Sequence, residues 1–159
     1  MRKYLVSVPI LARMEVVVDV EDEDDILILA EQEASAQNLD FINKKTINPL
    51  SSKDTPKEAV SKVLEFGINE GYKILDFEKR LISVPILAKM EITVEAENEE
   101  EAKVSAEKIA KKQDVNLINH ELLEPVYITD SITERTESLI KFGANNGYQV
   151  WDYEKEFGI

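Results

Sequence analysis

The hexapeptide Ser7-Val8-Pro9-Ile10-Leu11-Ala12 recurs without a change at residues 83–88. Shifting the chain by 76 positions extends the match in both directions without a gap. Residues 3–78 are then identical to residues 79–154 at 29 of 76 positions. This internal match predicts a tandem duplication of one module.

Both copies of the hexapeptide lie in long stretches with a period of two. Even positions across residues 4–20 are apolar, whereas odd positions include Arg13 and Glu15. This alternation indicates a strand with one buried face. No glycine, asparagine or aspartate lies between residues 9 and 13 to form a turn, so one long strand is favoured over a hairpin. We expect a bend or bulge at Pro9 and at Pro85, because proline cannot donate to a ladder.

A helical pattern follows each long strand. It begins at acidic runs, residues 21–25 and 97–101, whose carboxylates suit the positive end of the helix dipole. Asp22 and Asn98 have side chains that are preferred as N-caps, so they are the predicted helix starts.

The remainder of each repeat holds an ambiguous segment, a second helix and a closing strand. Residues 39–54 and 115–130 have no clear period, although each begins with apolar residues that favour a short strand. The second helix begins with a capping pattern in which Thr55 and Ser131 lie three positions before a glutamate. Apolar residues move from odd to even positions across residues 78–80, which predicts a tight turn there.

These elements define the expected fold class and domains. Each repeat is predicted to be strand, helix, segment, helix and strand. We expect a two-layer α+β fold, with helices on one face of a largely antiparallel sheet and a pseudo-two-fold axis. The first repeat is assigned to residues 1–78 and the second to residues 79–159, closely packed with no real linker.

Charge and composition exclude several classes of function. The chain has 32 acidic and 19 basic residues, for a net charge of −13. Such a charge repels nucleic acid and anionic membrane, so neither is an expected partner. No apolar run is long enough for a transmembrane helix, and there is no signal-peptide pattern. With no cysteine for disulfides, a cytoplasmic protein is expected.

No pattern of catalytic or metal-ligating residues stands out. His120 is the only histidine, and the first repeat has Lys44 at that position. The acidic runs lack the spacing and the glycine of a calcium loop, and no phosphate-binding glycine loop occurs. We therefore expect no enzyme, no metal site and no cofactor.

Carboxylates and a few apolar residues are the candidates for partner binding. Leu27 and Leu29 are apolar where the second repeat has Lys103 and Ser105, and they are predicted to face solvent. These differences indicate a contact between the repeats, with another chain or with a target. The predicted partner-binding residues are Glu15, Asp19, Glu21, Asp22, Glu23, Asp24, Asp25, Leu27, Leu29, Glu91, Glu95, Glu97, Glu99, Glu100, Glu101 and Tyr127.

In size and charge the chain is similar to small acidic bacteriophage proteins that block restriction or CRISPR nucleases. The resemblance rests on composition alone. It implies a non-catalytic inhibitor of the anti-restriction or anti-CRISPR type, a nucleic-acid mimic that occupies the basic surface of a nuclease or another nucleic-acid-binding protein. Two alternatives stay open: a small-ligand sensor or regulatory domain with a site at the repeat interface, and a structural homo-oligomer such as a homodimer.

Overall fold

Two strands of 16 residues form the centre of the fold in the computed structural model of this chain. The structure describes residues 1–19, 22, 25–66, 73–76, 80–127, 130–143 and 147–158. The strands are β1 (Arg2–Val17), β2 (Asn48–Pro49), β3 (Lys73–Asp76), β4 (Leu81–Ala96), β5 (Glu124–Pro125) and β6 (Gln149–Asp152). The helices are α1 (Ile26–Ser35), α2 (Pro56–Glu65), α3 (Glu99–Ala110), α4 (Ile132–Phe142) and α5 (Tyr153–Phe157). The chain is therefore an α+β protein with a mostly antiparallel sheet, which confirms the predicted class.

β1 and β4 pair antiparallel along their whole length, from Arg2 opposite Ala96 to Val17 opposite Leu81. At about 3.3 Å per residue, this ladder is about 50 Å long. The prediction of one long strand in place of a hairpin is confirmed for both copies of the repeated stretch.

Pro9 and Pro85 interrupt neither strand. All residues of the β1–β4 ladder are described, and the expected bulge does not occur there. Pro9 lies opposite Lys89 and Pro85 opposite Arg13, with no shift in register. The Pro9 carbonyl accepts the backbone N–H of Leu50 at 3.0 Å, on the outer side of β1. The N–H and C=O of a strand residue point to the same side, so the donor that proline lacks would face this outer edge. Pairing with β4 therefore loses no hydrogen bond.

Short strands extend the sheet on both sides of the central pair. The order is β2-β1-β4-β3, with β6 also on β1 and β5 also on β4. β3 runs antiparallel to β4, as expected for a tight turn between them, although residues 77–79 lie outside the described residues. β6 pairs with β1, where Val150 lies opposite Val6. Each closing strand thus pairs with the long strand of the other predicted repeat.

Helices cover both faces of this sheet. Even-numbered residues of β1 and β4 form the main core with α1 and α3. On the opposite face Leu11 and Leu87 pack with Val63 of α2 and Leu139 of α4. The predicted two-layer arrangement with one covered face is therefore wrong. On the odd-numbered face each leucine lies between a proline and a cation, Pro9 and Arg13 or Pro85 and Lys89, so the alternation pattern does not reveal this second core. Full burial of each leucine nevertheless stabilises the fold by about 1.5–3 kcal/mol.

The ambiguous segments begin with 3-10 turns, and the short strands expected there are wrong. The turns are Leu39–Phe41, Lys44–Thr46, Val115–Leu117 and His120–Leu122. Each follows an asparagine or aspartate whose side chain accepts a backbone N–H two positions on, as Asn43 and Asn119 do at 2.9 Å. Such side chains offer the backbone an alternative to ladder pairing, which favours turns over strands.

Most of the predicted helix caps are confirmed. Asn98 accepts the backbone N–H of Glu101 at 2.9 Å, and Thr55 and Ser131 cap α2 and α4 in the same way. The exception is α1, which begins after Asp25 rather than Asp22, and Asp25 makes no side-chain capping bond. No helix within the described ranges has the length and apolar content needed to cross a bilayer.

Candidate functional site

Exposed glutamates surround the passage from β4 into α3, and we call this group the acidic junction. Its members are Glu95, Glu97, Glu99, Glu100 and Glu101. The Glu101 carboxylate accepts the backbone N–H of Glu97 at 3.1 Å, and the Glu100 carboxylate lies 3.4 Å from the Lys103 ammonium. Both contacts help to start α3, because anionic groups stabilise a helix N-terminus. The other three carboxylates form no ion pair with any cation that the structure describes.

The other acidic run lies at the opposite end of the sheet. Asp19, Asp22 and Asp25 are exposed, whereas the predicted contact residues Glu21, Glu23 and Asp24 lie outside the described residues. This run follows the end of β1, and the acidic junction follows the end of β4. Because these strands are antiparallel, the two runs leave the ladder at ends about 50 Å apart. The predicted carboxylates therefore do not form one continuous surface.

Two of the predicted contact residues have partners within the chain. The Glu15 carboxylate accepts the Nδ2–H of Asn43 at 2.7 Å, and the Glu91 carboxylate accepts that of Asn119 at 2.7 Å. Both glutamates are half-buried. They fasten the 3-10 turns to the long strands, so their place in the fold is structural.

Of the three predicted apolar contact residues, two pack within the chain and one is exposed. Leu27 and Leu29 are half-buried against the main core, so the prediction that they face solvent is wrong. Ile26 and Ala30 form the buried face of α1. Leu27 and Leu29 lie beside this face and still contact the main core. Ile28 is the more exposed apolar residue of this helix. Tyr127 is 40% exposed and lies at the wall of a cavity.

This cavity is a partly open cleft, and apart from Tyr127 its lining residues were not predicted from the sequence, although a site at the repeat interface was one of the alternatives left open. Its volume is about 780 Å³. Ser35 and Gln37, at the end of α1, form one wall, and the rest comes from residues 121–125, Tyr127, Lys89, α4 and Gln149 of β6. The Gln37 Nε2–H donates to the Leu123 carbonyl at 3.1 Å, which holds the two sides together. The cavity therefore lies between the two predicted repeats.

Lys89 contributes a buried ammonium group to this cavity. The residue is only 7% exposed. Its Nζ donates to the Gly147 carbonyl at 3.1 Å and lies 5.9 Å from the centre of the Phe142 ring. Burial lowers the pKa of this ammonium, because a charged group is poorly solvated there. The sequence analysis did not identify this residue; a lysine between Ala88 and Met90 in an otherwise apolar strand is the signal that could have done so.

Arg13 is the equivalent residue of the first predicted repeat, and it shows what such a cation does for the fold. Its guanidinium donates to the Phe66 carbonyl at 3.0 Å and lies 5.4 Å from the Phe66 ring centre. Burial lowers its pKa as well. Phe66 ends α2, and a cation favours the carbonyl end of a helix. The same contribution is expected of Lys89 beside the end of α4.

The sequence singled out His120 as the residue to consider for catalysis. His120 is exposed at the start of a 3-10 turn. Within the described ranges no three histidine, cysteine, aspartate or glutamate residues are placed to hold a metal ion together. Comparison with known protein families, with curated proteins and with solved structures gives no match.

Proposed function

We propose that this chain is a non-catalytic protein that binds a basic surface of another protein through the acidic junction. The observation that carries the proposal is five exposed glutamates within seven residues, in a chain of net charge −13. Side chains that project from a strand end and a helix start are held on rigid elements. Such a group gives a partner a fixed negative patch to recognise.

The partner class that suits this patch is a nuclease or another nucleic-acid-binding protein. These proteins have basic grooves that accept rows of phosphates, and carboxylates on a rigid frame can occupy the same groove. Binding would then inhibit the partner by excluding its nucleic acid, as in the bacteriophage proteins that this chain resembles in size and charge. The acidic run near Asp19 lies too far away to share one small groove, so it is not required for the contact.

A matched pair of charge variants tests this proposal. One variant replaces Glu95, Glu97 and Glu99 by glutamine and keeps Glu100 and Glu101 at the start of α3. The control replaces three exposed helical glutamates elsewhere, which are Glu33, Glu65 and Glu137. Both variants have the same net charge, so a difference between them reports position rather than total charge.

The readout is affinity capture from a nuclease-treated bacterial lysate, at low salt and again at about 0.5 M salt, where exposed charges are largely screened. We expect the wild type and the control to recover a nucleic-acid-binding protein at low salt only, and the acidic-junction variant to lose it. The recovered protein should also lose activity when the wild type is added. Equal capture by both variants, or capture that survives high salt, contradicts the proposal.

We also infer that the chain is a duplicated module with a pseudo-two-fold axis between Leu11 and Leu87. Leu11 lies opposite Leu87, which is its own equivalent in the second repeat. Contacts between the predicted repeats are reciprocal as well. Gln37 donates to the Leu123 carbonyl, and Gln113 donates to the Ile47 carbonyl. This support comes from register and contacts and adds to the internal sequence match.

A further inference from the structure

We propose that the cavity beside Lys89 binds a small organic monocarboxylate with an apolar body, and that the Lys89 ammonium anchors the carboxylate. This binding site goes beyond the proposed contact with a basic protein and does not use the acidic junction. The proposal rests on the size of the cavity, on the buried cation and on the distribution of charge around the opening.

The size and the walls of the cavity fit a small molecule. Its volume of about 780 Å³ lies in the range of pockets that enclose small ligands. Apolar surface comes from Leu122, Tyr127 and Phe142, whereas Gln37 and Ser138 add hydrogen-bonding groups. Ligand sites commonly combine such apolar walls with a few polar groups that fix orientation.

Lys89 is a buried cation whose charge has no anionic partner among the described residues. An ammonium group has three donors, and the contact with the Gly147 carbonyl uses one of them. Burial of a charge is costly unless it is paired, so a ligand anion beside Nζ would offset that cost. The Phe142 ring and the carbonyl alone supply only partial negative charge.

The charges around the opening of the cavity favour a ligand with one negative group over a ligand with several. Lys141 adds a second cation, but Glu121 and Glu124 line the same cavity and would repel a polyanion. A phosphate or a nucleotide would bring more than one negative charge close to these glutamates. A single carboxylate can approach Lys89 while its apolar body contacts Leu122 and Tyr127.

Benzoate and its neutral amide, benzamide, form a suitable pair of probes. They have nearly the same shape and differ in charge, so a difference between them measures recognition of the carboxylate. Ionic strength is kept constant with sodium chloride. We expect benzoate to raise the midpoint of thermal unfolding of the full chain in a concentration-dependent manner, because a ligand that binds only the folded state stabilises it. Benzamide should have a much smaller effect.

Variants locate the effect at Lys89. Lys89→Met should abolish the shift caused by benzoate. The control Lys103→Met removes the same charge from α3, outside the cavity, and should keep the shift. Equal shifts with benzoate and benzamide, no shift above the chloride control, or a full shift in Lys89→Met would each overturn the proposal.

A second measurement does not depend on how well Lys89→Met folds. In the wild type, side-chain NMR of nitrogen-labelled lysine should show the Nζ resonance of one buried lysine moving with benzoate and not with benzamide. Assignment comes from the signal that Lys89→Arg removes. If only exposed lysines respond, benzoate binds elsewhere and the proposal is wrong.

Discussion

At the scale of single residues, several buried charged side chains form hydrogen bonds with backbone groups. Arg13 donates to the carbonyl of Phe66, the C-cap of α2, and Lys89 donates to the carbonyl of Gly147, which precedes β6. Asp152 ends β6, accepts the Arg2 Nε–H at 2.6 Å and caps α5 through the backbone N–H of Glu154 at 3.0 Å. One carboxylate therefore joins the first strand to the last helix.

The Arg2 hydrogen bond holds the pKa of Asp152 below its usual value, which predicts a pH-dependent stability. Since the folded pKa lies below the unfolded one, the unfolded chain binds more protons when the pH is between them. The contribution of Asp152 is therefore fully present above the unfolded value of about 4 and is lost as the pH falls below it. We expect the stability difference between the wild type and Asp152→Asn to be largest at neutral pH and to shrink on acidification.

Urea unfolding of both proteins between pH 7 and pH 2.5 measures this trend. Asparagine keeps an oxygen that can cap α5, so the substitution removes mainly the charge. The same comparison in an Arg2→Met background should lose most of its pH dependence. A difference that grows on acidification would contradict the assignment.

At the scale of elements, α1 and α3 occupy equivalent places in the two predicted repeats but begin differently. The Asn98 side chain caps α3, with three glutamates in the first turn. Asp25 precedes α1 and makes no side-chain capping bond, and the first turn of α1 has no acidic residue. The same acidic pattern in the sequence therefore has two structural outcomes.

This difference predicts unequal effects of alanine at the two helix starts. Asn98→Ala should reduce the free energy of unfolding by about 1 kcal/mol, because it removes a side-chain cap. Asp25→Ala should have a clearly smaller effect, since it removes no such bond. Urea unfolding of the two variants at neutral pH provides the comparison. A loss at Asp25 that equals or exceeds the loss at Asn98 would show that our account of α1 is wrong.

At the scale of the whole molecule, the predicted repeats share their sheet. The longest ladder pairs β1 with β4, and β6 pairs with β1 while β3 pairs with β4. The Tyr148 hydroxyl donates to the Leu50 carbonyl, and this contact also crosses between the repeats. Either repeat alone would expose a strand of 16 residues along an unpaired edge, which favours association.

This arrangement predicts that residues 1–78 and 79–159, produced as separate chains, are not stable monomers. We expect each fragment to unfold well below the intact chain or to self-associate. An equimolar mixture should form a complex with a cooperative thermal transition near that of the intact chain. Circular dichroism and size-exclusion chromatography with light scattering test both points. Two monomeric fragments with transitions at the temperature of the intact chain would contradict the prediction.

Alternation and capping depend on residues close together in the chain, so the long strands, three of the four predicted caps and the α+β class could be predicted from the amino-acid sequence alone. Which surfaces are covered depends on the tertiary structure. Leu11 and Leu87 lie on the strand face that also carries Arg13 and Lys89, yet pairing of β1 with β4 brings them together under α2 and α4. The separation of the acidic runs and the cavity around Lys89 also arise from antiparallel pairing and helix placement. These depend on contacts between residues far apart in sequence, which no local pattern records.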